Sequence, residues 1–306
     1  MGGNPLRAAA AAALGALFAA CAPMTATSSG PSVPESSAPP GWRLVVLGTA
    51  QDGGMPHIGC ERGPCAAARR GERSAARVAC LGLTDGARSF LFDATPDLPA
   101  QVHALGARRP DGIFLTHAHL GHYLGLAFLG KEALGARGVP VYATERMRAF
   151  LRTDAPWRLL VEEGRIDLRD NASVDLGGVR VSSFPVPHRA EISDTVGYLV
   201  EGPRRRALFV PDTDAWSKWD RDVRALVESV DLAFLDASFF SAEELPGRSM
   251  AEIPHPLVPD TMARLAGLGD RVRFLHLNHS NPLWEDPRPV EERGFHLARE
   301  GESFDL

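Results

Sequence analysis

Phe114-Leu-Thr-His-Ala-His-Leu-Gly-His-Tyr-Leu-Gly125 packs His117, His119 and His122 into a span of six residues. The apolar run from Gly112 to Leu115 reads as a short buried strand, and the small-residue, apolar segment after the histidines can turn helical. Alternation puts His117 and His119 on the same side of an extended segment, so both imidazoles can reach one cation. His122 lies past a turn opened by Gly121, and aims at a neighbouring cation or completes the first. A solitary histidine is commonly a satisfied core or surface residue. Three at one strand end, beside a helix start, point to metal binding.

Around this stretch the composition is that of a globular protein: 306 residues, 44% hydrophobic, 23% charged, formal net charge −5. That length suits one large domain or two small ones, with ample core. A nucleic-acid partner needs a clustered basic excess, and none is present. Arg204 to Arg206 follows Gly202-Pro203 and reads as a solvated hairpin turn. The expected partner is a small-molecule substrate; no feature specifies an oligomeric state.

The first residues are set apart. Arg7 precedes an apolar run, Ala8 to Ala20, too short for a permanent span but suited to a signal peptide. It ends Leu17-Phe-Ala-Ala-Cys21, which looks like a bacterial lipobox; ordinary secretion with cleavage near Cys21 is the alternative. Residues 22–40 are rich in Ser, Thr, Pro and Ala and read as a disordered tether. The expected placement is a lipid anchor on the cell envelope, at its periplasmic face, carrying one domain over residues 41–306.

Within that domain, strands are expected at Trp42–Gly48, Arg77–Leu83, Ser89–Asp93, Val139–Ala143, Arg165–Leu168, Val174–Val186, Thr195–Glu201, Arg206–Val210, Val230–Leu235 and Arg271–Asn278. Helices are expected from Thr95-Pro96 onward, with Thr95 as cap, and over Thr144–Leu151, Ala215–Val227 and Leu257–Leu268. The tail, Gly294 to Leu306, reads as a hairpin turned at Glu300-Gly301. Strands interleaved with helices fit either a doubly wound parallel sheet or two mixed sheets packed face to face.

The histidine stretch resembles the metallo-β-lactamase superfamily, whose signature at this point is His-x-His-x-Asp-His. His117, His119 and His122 match it, and Gly121 stands where that family carries the aspartate that ligates a second metal. The resemblance implies an α+β fold, a four-layer αβ/βα sandwich of two mixed β-sheets flanked by helices. It also implies a first metal site of His117, His119 and His188, and a second of His122, Asp212 and His276. Asp212 taken alone could equally be a helix cap. Glu191 or Asp214 could replace the missing aspartate or simply be surface carboxylates. His255 resembles the proton donor of the phosphodiesterase and transfer-RNA processing branches; the alternative is an exposed loop histidine.

A second cluster is His57, Cys60 and Cys65, spaced as ligands of a structural zinc, or as a Cys60–Cys65 disulfide. Similarity to the phosphodiesterases of phosphonate breakdown implies His279 as its fourth ligand. Leu47-Gly-Thr-Ala, Phe92-Asp-Ala-Thr-Pro-Asp-Leu and His276-Leu-Asn-His-Ser-Asn-Pro282 resemble the pyrroloquinoline quinone biosynthesis protein B branch. Together these imply a metal-dependent hydrolase using Zn²⁺, with iron or manganese also compatible with the ligands. The alternatives are an iron-dependent oxidative enzyme, or a lipid-anchored binding protein with a decayed metal site.

Overall fold

Along Phe90-Leu-Phe92, alternate side chains leave opposite faces of one strand: Phe90 and Phe92 enter a central core, and Leu91 enters an outer one. The same alternation at Leu208-Phe209-Val210 sends Phe209 to that central core and its neighbours to a third. Two sheets therefore face each other across an aromatic centre, and each buries its outer face under helices. The computed structural model describes residues 41–245, 247 and 254–306. The expected signal segment, its Cys21 and the tether lie outside the described residues.

The first sheet comprises β1 (Arg43–Gly48), β2 (Cys80–Thr84), β3 (Ser89–Phe92), β4 (Gly112–Phe114), β5 (Val139–Ala143) and β6 (Ile166–Asp170). The second comprises β7 (Ser173–Asp175), β8 (Arg180–Pro185), β9 (Val196–Glu201), β10 (Arg206–Val210), β11 (Leu232–Asp236), β12 (Val272–Leu275) and β13 (His296–Leu297). β14 (Ser303–Asp305) returns to the first sheet beside β1, giving the orders β14-β1-β2-β3-β4-β5-β6 and β13-β12-β11-β10-β9-β8-β7. Each sheet is antiparallel on one side and parallel on the other, with β3-β4-β5-β6 and β10-β11-β12-β13 as the parallel runs. This is the layered sandwich of two mixed sheets; the doubly wound alternative does not form.

Phe114 anchors the centre. It is fully buried, stacks on Tyr142 at 4.6 Å and on Phe92 at 5.3 Å between ring centroids, and meets Tyr198 edge-on at 5.6 Å. The Tyr198 hydroxyl donates to the Leu115 carbonyl at 2.6 Å, so the second sheet grips the strand that ends in the histidines.

Several expected elements are redrawn. The tail is no hairpin: β13 pairs with β12 while β14 pairs with β1, so the turn at Glu300-Gly301 carries the chain from one sheet to the other. Val174–Val186 is broken at Gly177 and Gly178, whose positive φ of 76° and 93° closes the β7–β8 turn. The helix expected over Ala215–Val227 is a 3₁₀ turn, Trp216–Lys218, and a separate helix, Val223–Glu228, capped by Asp222. After β3 the helix starts only at Leu98, because the Thr95 hydroxyl closes a local turn by accepting the Asp97 N–H. Thr144 does cap its helix, accepting the Met147 N–H.

Candidate metal centre

Strand ends along one rim carry the site. His117 lies three residues past β4, His188 three past β8, Asp212 two past β10 and His276 immediately past β12. His117, His119, His188 and Asp212 each offer a ligand atom, all within 4.8 Å of one another. His117 Nε2 and His188 Nε2 each lie 3.2 Å from Asp212 Oδ2. His119 turns Nδ1 inward, 3.2 Å from His188 Nε2, and Nε2 outward, 3.3 Å from the exposed Glu191 carboxylate. Glu191 thus orients a ring, and Asp214 is engaged elsewhere, in an ion pair with Lys218.

His122 and His276 converge beside this group. His122 Nε2 is 3.8 Å from Asp212 Oδ2, and a further carboxylate, Asp52, places Oδ1 3.4 Å from the same nitrogen. Asp52, His122 and His276 form a group of their own, and Asp212, Asp236, His255 and His276 another, so Asp212 sits between the two histidine sets.

These residues fit a cation. His117 Nε2, His122 Nε2, His276 Nε2 and Asp212 Oδ1 are buried, face the site and have no hydrogen-bond partner. Buried polar atoms are otherwise almost always satisfied, and four such atoms converging is the mark of a ligand set. Burial pushes the His117 imidazole well below its ordinary pKa, keeping it neutral as a ligand must be. Burial opposes the Asp212 charge, but His188, His255 and His276 around it hold its carboxyl well below the usual range.

The far ring nitrogens are fixed from behind. His122 Nδ1 meets Asp93 Oδ2 at 2.7 Å, and Asp93 also accepts the Thr116 N–H at 2.8 Å. The Thr116 hydroxyl bonds Asp93 and lies 3.0 Å from His117 Nδ1, so one carboxylate orients two rings. On the other side the Ser238 hydroxyl lies 2.9 Å from His276 Nδ1 and donates to Asp236 at 2.8 Å. Asp93 and His276 adopt positive φ, 74° and 64°. For residues other than glycine this costs about 1–3 kcal/mol each, offset by the surrounding hydrogen bonds.

His255 is buried, which removes the exposed-loop reading. Its Nδ1 is 2.8 Å from Asp236 Oδ2 and 3.3 Å from Asp212 Oδ1, and its Nε2 faces the Gln51 side chain at 3.4 Å. Burial disfavours the charged ring, but Asp236 and Asp212 outweigh it and push its pKa up to about 9.

Sequence reasoning missed Asp52, Asp93 as a partner of histidine, and Asp236. A signal was there for two of them: Phe92-Asp-Ala-Thr95 and Leu235-Asp-Ala-Ser238 repeat one pattern, an apolar strand closing on a carboxylate and a small hydroxyl.

The cysteine cluster forms in part. Cys60, Cys65 and His279 gather within 4.8 Å, with Cys60 Sγ 3.2 Å from His279 Nδ1. Both cysteines are free thiols, so the disulfide alternative is not formed. His57 stands outside that group, its ring stacked on His279 at 4.2 Å and its Nδ1 turned to the Ile58 carbonyl. Cys80 is buried, as expected of a small hydrophobe.

Known proteins share this fold. The beta-lactamase superfamily domain matches residues 88–280. The chain is 25% identical over 299 residues to coenzyme PQQ synthesis protein B of Rhizobium meliloti, an alignment covering 85% of this chain and 96% of that protein. Zinc-bound PqqB from Methylobacterium extorquens has a similar structure, with a TM-score of 0.74 and 22% identity, covering 86% of this chain and all of that one. A diphosphatase of the PhnP family aligns with a TM-score of 0.65 and 24% identity, covering 87% of this chain and 97% of that one. The matched segment runs from β3 through His276, and so includes His117, His119, His122, His188 and Asp212. On the fold, the histidine-bearing strand ends and this match together, the chain belongs to the metallo-β-lactamase superfamily.

Proposed function

We propose that this chain is a metal-dependent hydrolase acting on an ester, phosphodiester or lactam. The observation that carries the reading is the buried His255–Asp236 pair set against Asp212 beside the group of His117, His119 and His188. A divalent cation such as Zn²⁺, held by those three histidines, supplies Lewis acidity and lowers the pKa of water toward neutrality. Asp212 offers a buried carboxylate oxygen without a partner, placed to accept a hydrogen bond from the attacking water and aim it. Asp236 holds His255 by Nδ1, which leaves Nε2 to pass a proton to the departing group. Gln51, itself held by Asn278 through its side-chain oxygen, limits where that ring edge can point.

Proton donation matters only when the leaving group is a poor one. His255→Gln should therefore slow hydrolysis of an alkyl phosphodiester or alkyl ester by about a hundredfold, and that of the p-nitrophenyl analogue far less. Rate constants on such paired substrates decide it. Equal losses on both members of each pair would remove His255 from the donor role.

The enzyme is read as tethered at the cell envelope, and the support for this is the run Ala8 to Ala20 closing on Cys21. Metabolic labelling with a fatty-acid probe should mark the full chain, and Cys21→Ser should abolish the label. Undiminished labelling of that variant would contradict a Cys21 anchor.

A further inference from the structure

His122 and His276 form a pair of buried imidazoles whose inward nitrogens lack partners, next to a superfamily position occupied by a glycine. Two imidazoles that share their one carboxylate, Asp212, with the first histidine group make a poor divalent site, so the identity of a further ligand decides whether a second ion binds. We propose that Asp52, from the glycine-rich loop after β1, supplies that ligand, and that with His122, His276 and the shared Asp212 it completes a second divalent-cation site. The inference rests on the hydrolase reading only for the use of the ion; the site itself stands on geometry.

Three observations support it independently. First, Asp52 Oδ1 lies 3.4 Å from His122 Nε2, and ligand atoms of Asp52, His122 and His276 all fall within 4.8 Å of one another. His122 and His276 are fully buried, whereas the Asp52 side chain is about a third exposed, so it closes the site from the solvent side. Second, Asp52 and residue 121 compete for one volume. A Cβ at 121 would run into the Asp52 carboxylate and come within 2.7 Å of its Cα, and the Gly121 N–H donates to Asp52 Oδ1 at 3.1 Å. Gly121 sits in the short helix Leu120–Tyr123, where the backbone itself would accept any side chain. Glycine at 121 is therefore what lets the loop backbone and its Asp52 carboxylate lie directly against the histidine stretch.

Third, the loop is fastened to the strand end that carries His276. The Gln51 N–H donates to the Leu277 carbonyl at 2.9 Å, and the Leu277 N–H to the Thr49 carbonyl at 2.9 Å. The Asn278 side chain adds a bond to Gln51, and Gly54 closes the turn behind Asp52 by donating to the Gln51 carbonyl at 2.7 Å. Gly54 has a φ of 67°, so this tight return depends on glycine. Asp52 and His276 are thus held in register by backbone, as ligands of a common ion need to be.

The test counts ions. The full chain is stripped of metal, loaded with Zn²⁺, freed of excess, and its zinc measured by elemental mass spectrometry; any ion at the cysteine loop is common to every variant. Asp52→Asn should hold about one equivalent fewer than wild type, or bind its last ion at least about tenfold more weakly, with cooperative unfolding of the metal-free protein retained. An Asp52→Asn protein with the wild-type count and affinity overturns the proposal. Failure of the hydrolase reading would appear as absent turnover with an intact count, and is thereby distinguishable.

Discussion

His117→Ala should abolish turnover, by about 10⁴-fold or more, while the protein stays folded. The expected size follows from what the residue does. His117 Nε2 is one of the inward atoms of the first ligand group and sits 3.2 Å from Asp212. Its removal leaves His119 and His188 to hold a cation with too few donors, and the several kcal/mol of transition-state charge stabilisation that such an ion provides is lost at about 1.4 kcal/mol per tenfold. Two measurements separate this from general damage. The Thr116 hydroxyl, which orients His117 at Nδ1, can be removed with a milder loss of metal affinity, about 10–100-fold. The His117→Ala protein should still unfold cooperatively without metal, which shows that the lost turnover is not a lost fold. Full turnover by His117→Ala would remove the hydrolase reading.

The largest effect on stability is expected at Phe114. Its ring is fully buried between the sheets, in contact with Phe90, Phe92, Tyr142 and Tyr198. Phe114→Ala removes most of that buried surface and leaves a cavity that rings from both sheets cannot easily fill; such changes cost about 3–5 kcal/mol. Denaturant unfolding measures it. The substitution should also weaken metal binding, since β4 ends three residues before His117 and its register is set by this ring and by the Tyr198 hydroxyl on Leu115. A loss below about 1 kcal/mol would mean the centre repacks, and would contradict an anchoring role for the aromatic stack.

The elements that could be read from sequence were those whose signal is local. Short apolar runs bounded by turn residues marked β2, β3, β9 and β10, because each strand buries its opposite faces in separate cores. The clustered histidines were visible because rare, closely spaced imidazoles at strand ends are what a metal site would need, and His117, His119, His188 and His276 all lie there. The closing hairpin failed for the opposite reason. Local turn chemistry at Glu300-Gly301 is the same whether the strands pair with each other or with different sheets, and only long-range pairing of β13 with β12 and β14 with β1 decides it. The helix expected over Ala215–Val227 failed at Trp219 to Asp222, where extended backbone and the Asp222 cap outweigh an otherwise helical composition.

Asp52 was the least legible residue of the site. It stands sixty-nine positions from Gly121 and in a loop whose glycines draw attention to the backbone, while the superfamily pattern directs the search for a carboxylate to the histidine stretch itself. Glu191 and Asp214 are nearer in sequence to the other ligands, yet one faces the outer edge of His119 and the other pairs with Lys218. Proximity along the chain carried no information there, because the site is assembled from loops that only the packing of two sheets brings together.

The central claim is that His117, His119 and His188 hold one cation. Anomalous diffraction at the zinc edge, from crystals of the full chain prepared without added metal and then with Zn²⁺, tests it most directly. A peak about 2.0–2.1 Å from His117 Nε2, His119 Nδ1 and His188 Nε2 is the predicted result. Zinc seen only between Cys60, Cys65 and His279 after loading, with the three imidazoles bare, would contradict it.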